Sequence, residues 1–212
     1  MNFSAVILAG GRSSRMGRDK AWLSFRGQSL LARQIELARE LEPAEVFISG
    51  RTDTDYSSFG CPVLSDRYPD AGPLAGIAVA LAAASATLVL VLAVDMPSLT
   101  TGVLRNLLQA CTAEVGVVPR VKQRLEPLAA VYPKVAEPVA VDLLQRGLRS
   151  VRTFAERCQQ LGHLTFHDLD AAEQCNFANW NSPADLPPRL ASGITHGEVV
   201  IAHHLPGPLT CA

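Results

Sequence analysis

One stretch near the N-terminus has the residue types and spacing to do chemistry. It reads Leu8-Ala9-Gly10-Gly11-Arg12-Ser13-Ser14-Arg15-Met16-Gly17-Arg18-Asp19-Lys20. Adjacent glycines let main-chain N–H groups approach a ligand that side chains would hold off. Arg15 and Lys20 bring full positive charges to the same loop, and Arg12 and Arg18 can add to them. An arginine offers phosphate oxygens a planar fork; a lysine acts as a compact charge. The chemistry is that of a polyanion cradle. The spacing is neither G-x-x-x-x-G-K-[ST] nor G-x-G-x-x-G. A solvated strand-to-helix turn is the plainer reading of a Gly-Gly pair. Gly17, the basic residues and the apolar run before the loop favour the anion site.

A second candidate is Asp95, at the end of a long apolar run and before Met96-Pro97. A carboxylate there suits a hard cation such as Mg²⁺, with Mn²⁺ as the alternative because it accepts the same donors. A helix cap or turn role competes with metal ligation. The histidines form no comparable set. His163 and His167 alternate in an expected strand, and adjacent His203-His204 would point oppositely in an extended chain. Trp22 and Trp180 are expected to pack.

These residues need a frame. Phe3–Leu8 is a compact apolar run, read as a buried strand. Ser29 is placed to cap a helix to about Leu41, with Leu31, Ile35, Ala38 and Leu41 on one face. Short strands are expected at 45–49 and 61–64. Pro73 opens a helix over 74–84. Residues 87–94 form an apolar, central strand. Thr100 caps a helix to about Cys111. Strands at 115–118 and 128–132, helices at 135–146 and 151–160, and a strand at 163–167 complete the order. Strands alternating with helices imply an α/β fold with a mostly parallel sheet covered on both faces. Ligands in such sheets bind beyond the carboxyl ends of the strands. Leu8-Ala9-Gly10-Gly11 and Asp95-Met96-Pro97 lie at two such ends.

The 212 residues suit one domain, read as 1–187, with a loosely patterned tail at 188–212. A net charge of −1 gives no general attraction for nucleic acid or an anionic membrane. The five cysteines are scattered and form no C-x-x-C pair, the pattern of reduced cytoplasmic thiols. The apolar N-terminal run is too short for a signal peptide or membrane span.

The segment LAGGRSSRMGRDK resembles the signature of the molybdenum cofactor guanylyltransferases. Gly72-Pro73-Leu74-Ala75-Gly76 resembles their second motif, and Glu126-Pro127-Leu128 resembles their segment near the pterin site. Asn179-Trp180-Asn181-Ser182-Pro183-Ala184-Asp185-Leu186 resembles their C-terminal motif. The resemblance runs from Ser4 to Leu186 with its motifs in order. It implies a Rossmann-like three-layer nucleotidyltransferase fold. The implied reaction transfers GMP from GTP to the phosphate of molybdopterin cofactor and releases pyrophosphate. The implied alternatives are guanylyl or cytidylyl transfer to another phosphorylated cofactor precursor, or a nucleotide-binding regulator without turnover.

By the same resemblance, Leu8, Ala9, Gly10 and Gly11 hold base and ribose through their main chain. Arg15 and Lys20 carry phosphate charge, and Asp95 holds Mg²⁺. Asp66 matches a guanine-nucleotide ligand position; its carboxylate can accept from guanine N1 and the 2-amino group, which adenine does not present. An exposed turn beside Arg67 is the competing role for Asp66. Ser49 stands where some members place Asn against the nucleotide, and Glu126-Pro127 where some place His-Pro. Asn179 and Asn181 would orient metal waters or the acceptor phosphate, in competition with an Asx turn. Arg149 and Arg152 are candidate acceptor contacts, in competition with a solvated helix start. Transient contact with molybdoenzymes or their delivery chaperones is an expectation for the tail.

Overall fold

The structure is a computed structural model that describes residues 1–10, 20–65, 67–68 and 70–177. Expectations for Gly11, Arg15, Asp66, Asn179, Asn181, Trp180, His203, His204 and the tail lie outside these residues. So does the Lys20 side chain.

The strands are β1 (Phe3–Leu8), β2 (Ser24–Phe25), β3 (Gln28–Ser29), β4 (Val46–Ser49), β5 (Val63–Leu64), β6 (Leu88–Ala93), β7 (Gly116–Val121), β8 (Arg124–Leu125), β9 (Ala129–Pro133) and β10 (Leu164–Asp168). The α-helices are α1 (Leu30–Arg39), α2 (Pro73–Ala83), α3 (Thr101–Gln109), α4 (Glu137–Gln145), α5 (Val151–Gln160) and α6 (Ala171–Gln174). Eight strands form one sheet in the order β10-β7-β9-β6-β1-β4-β5, with β8 paired to β7. β5, β4, β1 and β6 run parallel, as do β7 and β10. β9 is antiparallel to both of its neighbours. No helix separates it from β7, and a parallel return needs a long crossover. The sheet is therefore mixed but mostly parallel.

Alternate residues of β1 and β6 divide between two cores, because successive side chains of a strand face opposite sides. Ala5, Ile7, Leu90 and Leu92 pack with Leu31, Ile35, Leu104 and Leu107 of α1 and α3. Val6, Leu8, Val89 and Val91 pack with Leu74, Ile77, Leu143 and Phe154 of α2, α4 and α5. Every residue of β1 and β6 is buried. Both strands are thus apolar without alternation, as strands covered on two faces must be. Three layers result.

Local signals act where expected. The Ser29 hydroxyl accepts from the Ala32 N–H at 3.2 Å and starts α1. Pro73 occupies the first turn of α2 after Gly72, whose φ of +74° and ψ of −161° suit only glycine. Thr100 occupies the cap position of α3, but its side chain makes no capping bond. Trp22 is half exposed and stacks on Tyr56 at 6.3 Å between centroids rather than entering the core. Cys61, Cys111, Cys158 and Cys175 are free thiols, and burial pushes Cys111 and Cys158 up to about 12. Among the described residues no helix is long and apolar enough to cross a membrane.

Candidate active site

The carboxyl ends of β1, β4 and β6 meet the N-terminus of α2 at one edge of the sheet. The first half of the site is built there from main chain. The Ser49 carbonyl accepts from the N–H groups of both Ala9 and Gly10, at 2.8 and 3.1 Å. These bonds fix the Leu8–Gly10 stretch against β4. They also commit the Ala9 and Gly10 N–H groups to the protein's own main chain. Gly76 lets α2 close on the same point. A Cβ there would lie 2.4 Å from the Ser49 hydroxyl oxygen and 3.0 Å from a Leu8 methyl. Ser49 thus organises the corner through its carbonyl on one side and its hydroxyl beside Gly76 on the other.

Asp95 follows β6 in a turn and is partly exposed. The turn is held from α1. Gln34 Nε2 donates to the Met96 carbonyl at 2.8 Å, and Arg33 Nε donates to the Pro97 carbonyl at 2.6 Å. Burial, and then the neighbouring Arg26 charge, lower the Arg33 pKa from its ordinary 12.5. The sequence reading missed both residues. Gln34 carried a signal: it interrupts the buried stripe of Leu30, Leu31, Ile35 and Ala38 with a polar group.

The second half of the site is a cleft of about 350 Å³ beside Asp95, with Met96, Arg124, Glu126, Val151 and Arg152 in its walls. Glu126 is 8% exposed, and its carboxylate lies 3.9 Å from the Arg124 guanidinium. Its segment is held by hydrogen bonds. The Glu126 N–H donates to Pro119 O at 2.9 Å, Tyr132 OH donates to Pro127 O at 2.8 Å, and Ala93 N donates to Leu128 O at 2.8 Å. Arg152, in the first turn of α5, brings a cation to the cleft. Its Nε pairs with the Glu156 carboxylate at 2.9 Å, an exposed pair that constrains it weakly. Arg149 does not line the cleft; its Nη1 donates to the Asp70 carbonyl at 2.9 Å.

The arrangement therefore has two sides. Leu8–Gly10, Ser49 and the Gly72–Gly76 turn stand on one; Glu126 and Arg152 stand on the other, with Asp95 in the cleft wall. The sequence pattern of the MobA-like NTP transferase domain matches residues 5–161, which include every described element of this site. The chain belongs to the MobA-like NTP transferase family.

Relatives within the family extend the match. The chain is 40% identical over 185 residues to a probable molybdenum cofactor guanylyltransferase of Opitutus terrae, covering 86% of this chain and 92% of that protein. It is 35% identical over 184 residues to a molybdenum cofactor guanylyltransferase of Xanthomonas euvesicatoria, covering 85% and 90%. The crystal structure of the molybdopterin-guanine dinucleotide biosynthesis protein A of Archaeoglobus fulgidus superposes with a TM-score of 0.71. It is 22% identical and covers 89% of this chain and 97% of that one, a likeness of fold. The expected three-layer nucleotidyltransferase fold is the observed one.

Proposed function

We propose that this MobA-like transferase moves GMP from GTP to the terminal phosphate of molybdopterin cofactor and releases pyrophosphate. The observation that carries the reading is the 40% identity, over nine-tenths of its length, to the Opitutus terrae protein named for that reaction. In this reading the two sides of the site serve the two substrates. The nucleotide takes the Leu8–Gly10, Ser49 and α2 side, and the acceptor takes the cleft of Glu126 and Arg152.

In the transfer, an acceptor phosphate oxygen attacks the α-phosphorus of GTP. The new P–O bond forms opposite the α–β bridge, which breaks and leaves pyrophosphate with its electron pair. Little covalent work falls to the protein, so positioning and charge neutralisation do most of it. Lys20 and Arg15 carry the triphosphate charge. Asp66 reads the guanine edge. Arg152, Asn179 and Asn181 meet the acceptor, and Arg149 braces the α4–α5 turn that presents Arg152.

Asp95 fits a Mg²⁺ anchor. Among the described residues no three His, Cys, Asp or Glu side chains gather into a closed metal cage. A single partly exposed carboxylate at a strand end suits a cation that keeps waters and takes substrate phosphates as its remaining ligands. Mn²⁺ accepts the same donors. When bound, the ion neutralises charge on the departing pyrophosphate. A cytoplasmic setting matches the free thiols, and contact with molybdoenzymes or their chaperones is a role for residues 188–212.

Asp95→Ala tests the assignment. Transfer is lost while the melting temperature stays near that of the parent chain; normal turnover would remove Asp95 from the metal role.

A further inference from the structure

Gln34 is the anomaly in the α1 face. It is 0% exposed on a helix face otherwise made of Leu30, Leu31, Ile35 and Ala38. Its Nε2 donates to Met96 O, yet its Oε1 is buried with no hydrogen-bond partner. An unpaired buried carbonyl oxygen costs folding free energy, and an apolar side chain of similar size would avoid the cost. Met96 O also accepts the Leu99 N–H, at 3.3 Å. The amide of Gln34 is therefore not required to satisfy that carbonyl. Folding alone does not explain a glutamine here.

Its position does. Gln34 and Arg33 are adjacent in α1 and grip the two carbonyls that follow Asp95, those of Met96 and Pro97. Arg33 is in turn held over the Phe25 ring of the β2–β3 hairpin, 5.4 Å from its centroid. That hairpin follows the Lys20–Trp22 turn at once. The segment after the phosphate loop and the turn that bears Asp95 are thus fastened to one helix end.

We infer that Gln34 is a positioning residue: it fixes the Asp95 turn so that the carboxylate meets its cation in one orientation, at a net cost to stability. The inference rests on the reading of Asp95 as the metal anchor. Outer groups that orient a metal ligand commonly change metal affinity by 10–100-fold when removed. Sites that hold a polar group against the preference of the core trade stability for function.

The test measures Mn²⁺ binding by electron paramagnetic resonance in the presence of GTP, together with melting temperature. It compares the parent chain, Asp95→Ala, Gln34→Met and, as a second packing solution, Gln34→Leu. The expected result is Mn²⁺ affinity weakened about tenfold in both Gln34 variants. Their melting temperature is unchanged or raised. Parent-like affinity in the Gln34 variants, with binding lost in Asp95→Ala, would overturn the positioning role alone. A melting temperature that falls in both Gln34 variants would also overturn it, and make Gln34 a packing residue. Undiminished binding in Asp95→Ala would overturn the metal reading itself and the role of Gln34 with it.

Discussion

Arg149 Nη1 donates to the main-chain carbonyl of Asp70 at 2.9 Å, tying the turn before α5 to the turn before α2. The two arginines of the 149–152 segment therefore have different work. Arg149 fastens two loops; Arg152 lines the cleft three residues on.

The consequence is a divided mutational phenotype. Arg149→Ala is expected to cost roughly 0.5–1 kcal/mol of stability, in keeping with an exposed main-chain tie, and to leave acceptor KM little changed. Arg152→Ala is expected to raise acceptor KM roughly tenfold, about 1.4 kcal/mol, with GTP KM and melting temperature unchanged. Steady-state kinetics with each substrate varied, alongside thermal melts, separates the two. Equal acceptor effects would refute the division.

Gly76 gives a steric prediction. Its missing side chain leaves room for the Ser49 hydroxyl, which a Cβ would approach to 2.4 Å. Gly76→Ala should destabilise the chain by about 1–3 kcal/mol, the usual cost of overpacking, and weaken GTP binding by moving Ser49. Ser49→Ala in the same chain removes the nearest atom and should recover part of both losses. The Ser49 Cβ would still lie 3.2 Å away, so recovery is incomplete. Denaturant melts and GTP titration of the single and double variants check it; no recovery in the double variant would place the clash elsewhere.

Much of this architecture was legible from residue pattern. The unbroken apolar runs of β1 and β6 announced buried strands, and Ser29 and Pro73 marked helix starts within one residue. The Lys122-Gln123 turn between β7 and β8 was not. Its residues have φ of +46° and +67°, a conformation usually marked by Asn or Gly, so the hairpin carried no turn signal. The Arg26-Gly27 turn of β2–β3 had only one glycine to show. For the candidate site, the position of Asp95 in the turn after β6 was readable from the sequence. The cleft was not, because it is assembled from residues 95–96, 124–128 and 151–152, which only the β9 reversal and the α4–α5 turn bring together. Gln34 was visible as a polar break in an apolar stripe, but its partner, a main-chain carbonyl 62 positions away, leaves no mark in sequence.

The opposite edge of the sheet carries a pH-dependent clasp. One Glu45 oxygen accepts from the Ser4 hydroxyl, the Ser85 N–H and the Ser85 hydroxyl, at 2.7, 2.7 and 2.8 Å. Burial alone would raise its pKa; the hydrogen bonds and the Lys134 charge together outweigh it and lower the carboxyl below the ordinary 4.5. A depressed folded-state pKa contributes stability that is fully present above the unfolded value and is lost as pH falls through the folded one. Melting temperature should therefore fall more steeply in the parent chain than in Glu45→Gln below about pH 4.5. At neutral pH Glu45→Gln should be the less stable by roughly 1–2 kcal/mol. Parallel melting profiles from neutral to acid pH would contradict the clasp.

The most direct test of the central claim is pyrophosphate release with Mg²⁺ and molybdopterin cofactor, comparing GTP, CTP and ATP at matched concentration. Guanylyl transfer predicts release with GTP, only when the acceptor is present, and little with ATP or CTP. Release with CTP in place of GTP would keep the reaction type and overturn the role given to Asp66. No release with any nucleotide, by a chain that still binds GTP, would contradict the proposed acceptor.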